Sequence, residues 1–203
     1  MKKTFTMLIL IITVFGNVFA ENHSKPGRDE VVLVFSVDIR PAINRSFLEK
    51  YVLLVANPYD SNLKVTSNGS PVRNIPADSV SLFLSGDRDR PTTVAPVNDD
   101  IISVKVPVKR NSKEICLNFI TYNIFGGNAF SFILPLDITI TVPKDAKYLY
   151  LGHFTYKTKS ASDREIISVD RTDNLDKITP LIKNRYGEKI ELLRAPISVG
   201  EEK

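Results

Sequence analysis

The sequence predicts a mainly β fold, in which two antiparallel sheets pack face to face as a sandwich and one helix follows near the C-terminus. The clearest observation is the stretch FSFILPLDITITV at residues 130–142, where apolar residues occupy every second position. This period of two is typical of a strand with one buried face, and such a face requires a second sheet to cover it. Short β-branched and aromatic runs between turn signals predict further strands.

The N-terminus has the pattern of a secretory signal peptide. Lys2 and Lys3 precede an almost wholly apolar run at 7–15, and Val18-Phe19-Ala20 places suitable residues before a cleavage point. An uncleaved membrane anchor is the alternative, but the run is shorter than the roughly 20 residues that a bilayer span requires. We therefore expect residues 1–20 to be removed after Ala20, which leaves a soluble exported chain in the periplasm or at the cell surface.

The mature chain has the length of one domain. Removal of 20 residues from 203 leaves 183, which suits a single core. Residues 21–29 are polar and are predicted to be a flexible leader, residues 30–194 a single sandwich domain, and residues 195–203 a fraying tail. Without Lys2 and Lys3, 25 basic residues face 23 acidic ones and the two signs are interleaved, a distribution that gives nucleic-acid binding no support.

The strands are predicted in order along this domain. The run VVLVFSVDI at 31–39 has a fully apolar first half, which is typical of a strand covered on both faces. Asn68-Gly69 indicates a hairpin turn, and residues 85–100 are expected to form a long loop. Further strands are predicted at 51–56, 63–66, 80–84, 101–108, 115–125, 148–156 and 166–169.

Simple alternation assigns the faces of two of these strands. In the segment 115–125 it places Ile115, Leu117 and Phe119 on one face, and on the other Cys116, Asn118, Ile120 and Tyr122. In the segment 148–156 it places four aromatic residues on one face: Tyr148, Tyr150, Phe154 and Tyr156.

Two prolines interrupt otherwise regular patterns. Pro135 lies in the middle of 130–142 and cannot donate a ladder hydrogen bond, so it marks an edge, a bulge or a crossing between sheets; we expect two strands there, shared between the sheets. Residues 174–186 have the spacing of a helix that ends at Gly187. Within it, Pro180 predicts either a kink or a helix that begins at Thr179.

Few residues in the chain are suited to catalysis. His23 lies in the leader, His153 lies in a predicted strand, and no Gly-x-Ser-x-Gly elbow, phosphate loop or zinc spacing occurs. Cys116, the sole cysteine, is interpreted as a small buried side chain; the alternatives are a thiol pair with His153 or a bond to another chain. We assign no catalytic residue and no cofactor.

Two sets of residues are candidate binding sites. Four aspartates bracket the long loop and carry oxygen ligands of the kind that Ca²⁺ takes: Asp87, Asp89, Asp99 and Asp100. Solvated turn charges are their ordinary explanation, and calcium is the alternative. Tyr148, Tyr150 and Tyr156 are the candidate ligand surface, since exposed tyrosines stack on sugars or peptides; on a strand they are otherwise core residues.

The order of elements at 130–156 carries a resemblance. A strand ends in Ile-Thr-Val-Pro and is followed by a charged turn and then by Tyr-Leu-Tyr-Leu-Gly-His-Phe. This order resembles exported bacterial β-sandwich modules of the prealbumin-like or carboxypeptidase-regulatory type. The resemblance covers about residues 80–156 and implies a non-catalytic domain used for adhesion, carriage or stabilisation. It transfers no functional residue.

The function expected from the sequence is non-enzymatic. The chain is predicted to be an exported binding or envelope-structural module whose partner is another envelope protein or a glycan. The alternative is a carbohydrate-binding or glycan-hydrolysing protein that uses loop carboxylates and exposed tyrosines. A cleft with paired carboxyls beside those tyrosines favours the alternative.

Overall fold

The computed structural model describes residues 25–43, 45, 78–84, 91–97, 100–108, 113–124, 131–161 and 163–199. The predicted strands at 51–56 and 63–66 and the Asn68-Gly69 turn lie outside these residues. The described elements, in chain order, are β1 Glu30–Arg40, β2 Ser79–Leu84, β3 Thr93–Pro96, β4 Ile101–Pro107, β5 Glu114–Asn123, β6 Ser131–Thr141, β7 Tyr148–Thr158, β8 Ile166–Thr172, α1 Leu175–Tyr186, β9 Leu192–Arg194 and β10 Ile197–Val199.

The described strands form two sheets, and one helix is present among the described elements, which confirms the predicted sandwich. The second sheet has the order β10-β6-β5-β2-β3 and is antiparallel throughout. The first sheet has the order β4-β1-β7-β8, and β9 also pairs with β7. In this sheet β1 and β9 both run parallel to β7, so the prediction of a wholly antiparallel sandwich is wrong for the first sheet.

The side chains of β1 explain why its first half is apolar on both faces. Val31, Leu33 and Phe35 are fully buried in the core between the sheets. Val32 and Val34 are fully buried on the opposite face, in a smaller cluster with the helix residues Ile178 and Ile182, so α1 covers the outer face of the first sheet here. A strand between two apolar layers has no solvent-facing side, and its sequence therefore lacks alternation.

Helix α1 is continuous through Pro180. The proline side chain is exposed in the sixth position of the helix, where the missing N–H leaves the carbonyl four residues earlier without its usual donor. The Thr179 hydroxyl donates to the Leu175 carbonyl at 2.8 Å. The helix therefore begins before Pro180, and the predicted start at Thr179 is wrong.

Strand β6 is one strand of the second sheet, so the predictions of two strands and of a segment shared by both sheets are wrong. Its even-numbered apolar residues from Phe132 to Ile140 are all buried, as the alternation predicts. The β5–β6 register shifts where Pro135 lies opposite Phe119, and Asp137 has a positive φ of 45°. Of the three alternatives predicted for Pro135, the structure contains the bulge.

Strand β5 changes faces at this same irregularity. Leu117 and Ile120 are both fully buried in the core although they are three residues apart. Phe119 instead stacks on Phe83 at 4.7 Å between ring centroids. The predicted grouping of Phe119 with Leu117 is therefore wrong. One residue of β5 lies opposite two residues of β6 at this bulge, and beyond it the alternation of β5 is shifted by one position.

Both ends of the described chain are held by hydrogen bonds. The Lys147 ammonium donates to the carbonyls of Gly27 at 2.6 Å and Arg28 at 2.9 Å. At the other end, the Ala195 amide donates to the Tyr150 carbonyl at 2.9 Å, and β10 pairs with β6. Parts of the predicted leader and of the predicted tail thus contact the domain: residues 25–29 through Lys147, and residues 195–199 through Tyr150 and β6. The expected long loop at 85–100 also contains strand β3.

Candidate functional site

Strand β7 inverts its faces at Gly152. The β1–β7 register shifts between the pairs Val34–Tyr150 and Phe35–Gly152, and Gly152 has a φ of 125°, a conformation that favours glycine. The Arg171 side chain lies against this position and donates from Nε to the Leu151 carbonyl at 2.6 Å. A Cβ at Gly152 would lie 2.7 Å from that Nε. The close approach and the positive φ together require glycine here.

The three candidate tyrosines are consequently buried on different faces. Tyr148 and Tyr150 are 5% and 2% exposed beneath α1, whereas Tyr156 is fully buried between the sheets. Two predictions for these tyrosines are therefore wrong. Tyr148, Tyr150 and Tyr156 do not form an exposed ligand surface, and they do not share one face of the strand. Two of the hydroxyls are structural: Tyr150 accepts from the Asn174 amide at 2.9 Å, and Tyr156 donates across the core to the Pro135 carbonyl at 2.9 Å.

Burial of tyrosine hydroxyls predicts a sharp loss of folding stability at alkaline pH. Removal from water raises the pKa of four tyrosines above the ordinary value of 10.0: Tyr122, Tyr148, Tyr150 and Tyr156. Because the folded-state pKa is raised, this stabilising term is fully present below pH 10 and is lost as the pH rises through the folded values. Absorbance of tyrosinate should show these groups ionising only as the protein unfolds, whereas denatured chain titrates in one step. A single step near pH 10 in the folded protein would contradict this.

The calcium candidates are mostly outside the described residues. Asp87, Asp89 and Asp99 lie there, and Asp100 is an exposed turn residue with a φ of 60°. Within the ranges that the structure describes, no group of three or more His, Cys, Asp or Glu side chains is placed to hold a metal ion.

His153 lies in a polar strip on the outer face of the first sheet. Its Nδ1 is 2.8 Å from Ser36 Oγ on the neighbouring strand, and its Nε2 is 3.4 Å from Thr155 Oγ1. Cys116 instead contacts Thr139 in the second sheet, so the hypothetical Cys116–His153 pair is wrong. The serine and histidine were not connected by sequence reasoning, since they are 117 residues apart. The strip is a cross-strand ladder of a kind that stabilises sheets.

A buried carboxylate joins three segments at one end of the second sheet. Asp78 is 7% exposed, and it accepts hydrogen bonds from the Tyr122 hydroxyl at 2.9 Å and from Arg45. The Asp78 carbonyl also accepts from the Val97 amide at 2.9 Å. These contacts hold the start of β2 to the end of β5 and to the residue after β3, which is a structural role.

A groove of about 610 Å³ lies where α1 ends. Tyr148, Tyr186 and Leu193 contribute apolar surface, and lysines alternate with acids around the rim: Lys25, Lys144, Asp145, Lys147, Glu188, Lys189 and Glu191. Of the three candidate tyrosines, Tyr148 alone borders it. The mixed rim charges give the groove no marked preference for an anion or a cation.

Strand β8 is the described element that is most exposed. Six of its seven residues are exposed, and among the described strands it pairs with β7 alone. Its residues Ile167 and Val169 are 62% and 41% exposed. It contains neither lysine nor proline, and its charged residues are Asp170 and Arg171 near the C-terminal end of the strand. Its sequence predicted a strand, but nothing in the local pattern indicated that the strand would be an edge.

Neither a family model, a curated protein nor a solved structure matches this chain. No helix in the described part of the chain has the length and apolar character that a membrane crossing requires.

Proposed function

We propose that the chain is an exported, non-enzymatic binding module of the cell envelope, and that it associates with a protein partner along the β8 side of the sandwich. The observation that carries this proposal is the exposed apolar edge formed by Ile167 and Val169 on β8. An edge strand with exposed β-branched side chains is a template for association with another chain.

The distribution of other exposed apolar residues supports this side of the molecule. Ile133 on β6 is 65% exposed and Val199 on β10 is 72% exposed. Both strands border the same side of the sandwich, because β9 and β10 pass directly from the β7 edge to the β6 edge through Ala195 and Pro196. Exposed apolar side chains on this side are available for contact with a partner protein.

Export is supported by the N-terminal sequence. Lys2, Lys3 and the apolar run at 7–15 have the pattern of a secretory signal peptide, which supports export of the domain. The polar cluster best suited to chemistry, Ser36 with His153, lies in a ladder on a sheet face. A role in adhesion or envelope structure requires only a stable scaffold and an edge that can associate with another protein. The two sheets are the scaffold, and β8 is the edge.

Photo-cross-linking in cells that produce the protein tests this proposal. A photoreactive side chain at Ile167 or Ile133 should give a covalent adduct with the same partner protein, identified by mass spectrometry. Val169→Lys should reduce the adduct by about tenfold or more, because about 1.4 kcal/mol of lost affinity suffices for that change. The matched control positions are Val94 on β3 and Leu181 on α1, which are 57% and 46% exposed. Equal adducts from the control positions, or none from Ile167 and Ile133, would overturn the proposal.

A further inference from the structure

The Tyr148 hydroxyl is a polar group that the described part of the chain leaves without a hydrogen-bond partner. The side chain is 5% exposed, and its ring packs against that of Tyr186 at 5.3 Å between centroids. The neighbouring hydroxyls are satisfied, since Tyr186 donates to Ser103 Oγ at 3.0 Å and Tyr150 accepts from the Asn174 amide. No described side-chain polar atom is both sealed from solvent and without a partner. The Tyr148 hydroxyl therefore opens onto the groove of about 610 Å³ that this residue borders.

Three segments build the groove around this hydroxyl, and hydrogen bonds hold each of them in place. Residues 25–26 form one part of the wall, and the next two residues are fixed by their carbonyls to the Lys147 ammonium. The turns at 143–147 and 187–191 form the rest, and each is closed by a backbone hydrogen bond, at 3.1 Å and 3.2 Å respectively. The groove is thus formed before any ligand binds, which lowers the cost of ordering it.

The surface beside the hydroxyl is mainly apolar. Its half-buried members are Pro26, Ala146, Ile190 and Leu193. Burial and the neighbouring Tyr186 raise the pKa of Tyr148, so the hydroxyl is protonated at neutral pH and is able to donate. Small-molecule sites commonly have volumes of about 300–1,000 Å³ and combine apolar walls with a few polar groups. A ligand that fits needs an apolar group next to a hydrogen-bond acceptor.

The charged side chains of the rim are separated by sign. The side formed by residues 25–26 and the turn at 143–147 has three lysines and one aspartate, a net charge of +2. The side formed by 187–191 has two glutamates and one lysine, a net charge of −1. Apart from Lys147, these side chains are exposed, and within the described ranges they form no ion pair. The first group is Lys25, Lys144, Lys147 and Asp145, and the second is Glu188, Glu191 and Lys189.

We propose that this groove binds a short peptide that has free amino and carboxyl ends and an apolar side chain. The apolar side chain packs against Ile190 and Leu193, and a peptide carbonyl accepts from the Tyr148 hydroxyl. The ammonium end lies towards the glutamates of 187–191, and the carboxylate end lies towards the lysines opposite. A di- or tripeptide is about 7–11 Å long when extended, which suits a groove of this size.

The separated charges favour this ligand over the alternatives. A simple anion or cation is attracted by one side of the rim and repelled by the other, and a neutral saccharide gains nothing from either. The groove lies where β7 begins, whereas β8 pairs with the second half of β7. Peptide binding is therefore independent of the proposed association along β8.

Titration of the full chain with the dipeptide alanyl-leucine tests the groove. Amide chemical shifts measured by NMR should change saturably at residues 144–148 and 187–193. N-acetyl-alanyl-leucine and alanyl-leucinamide, which each lack one terminal charge, should bind about two- to fivefold more weakly, the range expected for loss of one exposed ion pair. Maltose, a neutral saccharide, should give no saturable shift at these positions.

Variants identify the groups that bind the dipeptide. Tyr148→Phe should weaken binding about three- to tenfold, the effect of one hydrogen bond, and should leave the thermal midpoint unchanged. Tyr150→Phe is the matched control: it removes a bonded hydroxyl outside the groove, so it should lower the thermal midpoint and leave the affinity unchanged. Glu188→Gln combined with Glu191→Gln should lower the affinity for alanyl-leucine to that for its N-acetyl form, whose own affinity should not change.

Four results would each overturn the proposal. They are no saturable shift with alanyl-leucine, equal binding of a dipeptide blocked at both ends, saturable binding of maltose that the glutamine variants leave intact, and an equal drop in thermal midpoint for Tyr148→Phe and Tyr150→Phe. The last would show that the Tyr148 hydroxyl is bonded within the fold. Adducts formed from β8 test the association along that strand separately.

Discussion

Gly152→Ala is expected to lower the free energy of unfolding by about 2–4 kcal/mol. A non-glycine residue at this positive φ costs about 1–3 kcal/mol in backbone strain. The new Cβ would also lie 2.7 Å from Arg171 Nε and 3.3 Å from the Thr172 carbonyl oxygen, so β8 or the Arg171 side chain must move. Denaturant unfolding followed by circular dichroism measures the change.

Gly187→Ala is the matched control for this variant. Gly187 has a φ of 110°, similar to that of Gly152, but a Cβ there would meet no atom within 4 Å. Strain alone should therefore cost about 1–2 kcal/mol at Gly187. If both variants lose the same stability, the close approach of Arg171 contributes nothing, and the argument that contact as well as φ requires glycine at residue 152 is wrong.

Asp78→Ala is expected to lower the free energy of unfolding by about 2–4 kcal/mol. The substitution leaves the Tyr122 hydroxyl without its acceptor and removes the carboxylate that Arg45 contacts. An unsatisfied buried polar group costs about 1–3 kcal/mol. The Arg45 side chain is 54% exposed, so water compensates much of the lost ion pair, and the total should stay below the about 5 kcal/mol seen when a fully buried charge loses its partner.

Two substitutions separate these contributions. Asp78→Asn keeps an oxygen acceptor for Tyr122 and should recover at least half of the loss, whereas Tyr122→Phe should cost about 1 kcal/mol. Asp38→Ala is the exposed comparison, because Asp38 pairs with Arg40 at 2.6 Å but is 37% exposed; we expect about 0–1 kcal/mol. A loss at Asp78 no greater than that at Asp38 would show that the buried cluster is not a stabilising element.

The parts of the fold that the sequence predicted are those set by local patterns. Alternation in β6 identified its buried face, and the apolar first half of β1 indicated layers on both sides, which α1 and the second sheet supply. The spacing at 174–186 gave the helix nearly to the residue. Each of these depends on neighbours within a few residues, where periodicity reports burial directly.

The errors arose where a single residue or a distant partner decides the outcome. The bulges near Asn118 and at Gly152 invert the faces of β5 and β7, so alternation counted through them places Phe119 and Tyr156 incorrectly. Glycine inside the Tyr-Leu-Tyr-Leu-Gly-His-Phe strand was the available signal for the second bulge.

Strand partners are a separate source of error. The parallel pairing of β1 with β7 joins residues more than 100 positions apart, and no local pattern encodes it.

The position of β1 also constrains when the domain can fold. Its two partners, β4 at 101–107 and β7 at 148–158, are made long after residues 30–40 have left the ribosome. Before β7 is available, the apolar run Val31–Phe35 lacks one of its two partner strands. Pairing of β1 with β7 closes a loop of more than 100 residues, and closure of so long a loop is slower than formation of a local hairpin. The first strand is therefore the segment that stays exposed longest during folding, since its burial requires both β4 and the Tyr148–Tyr156 segment.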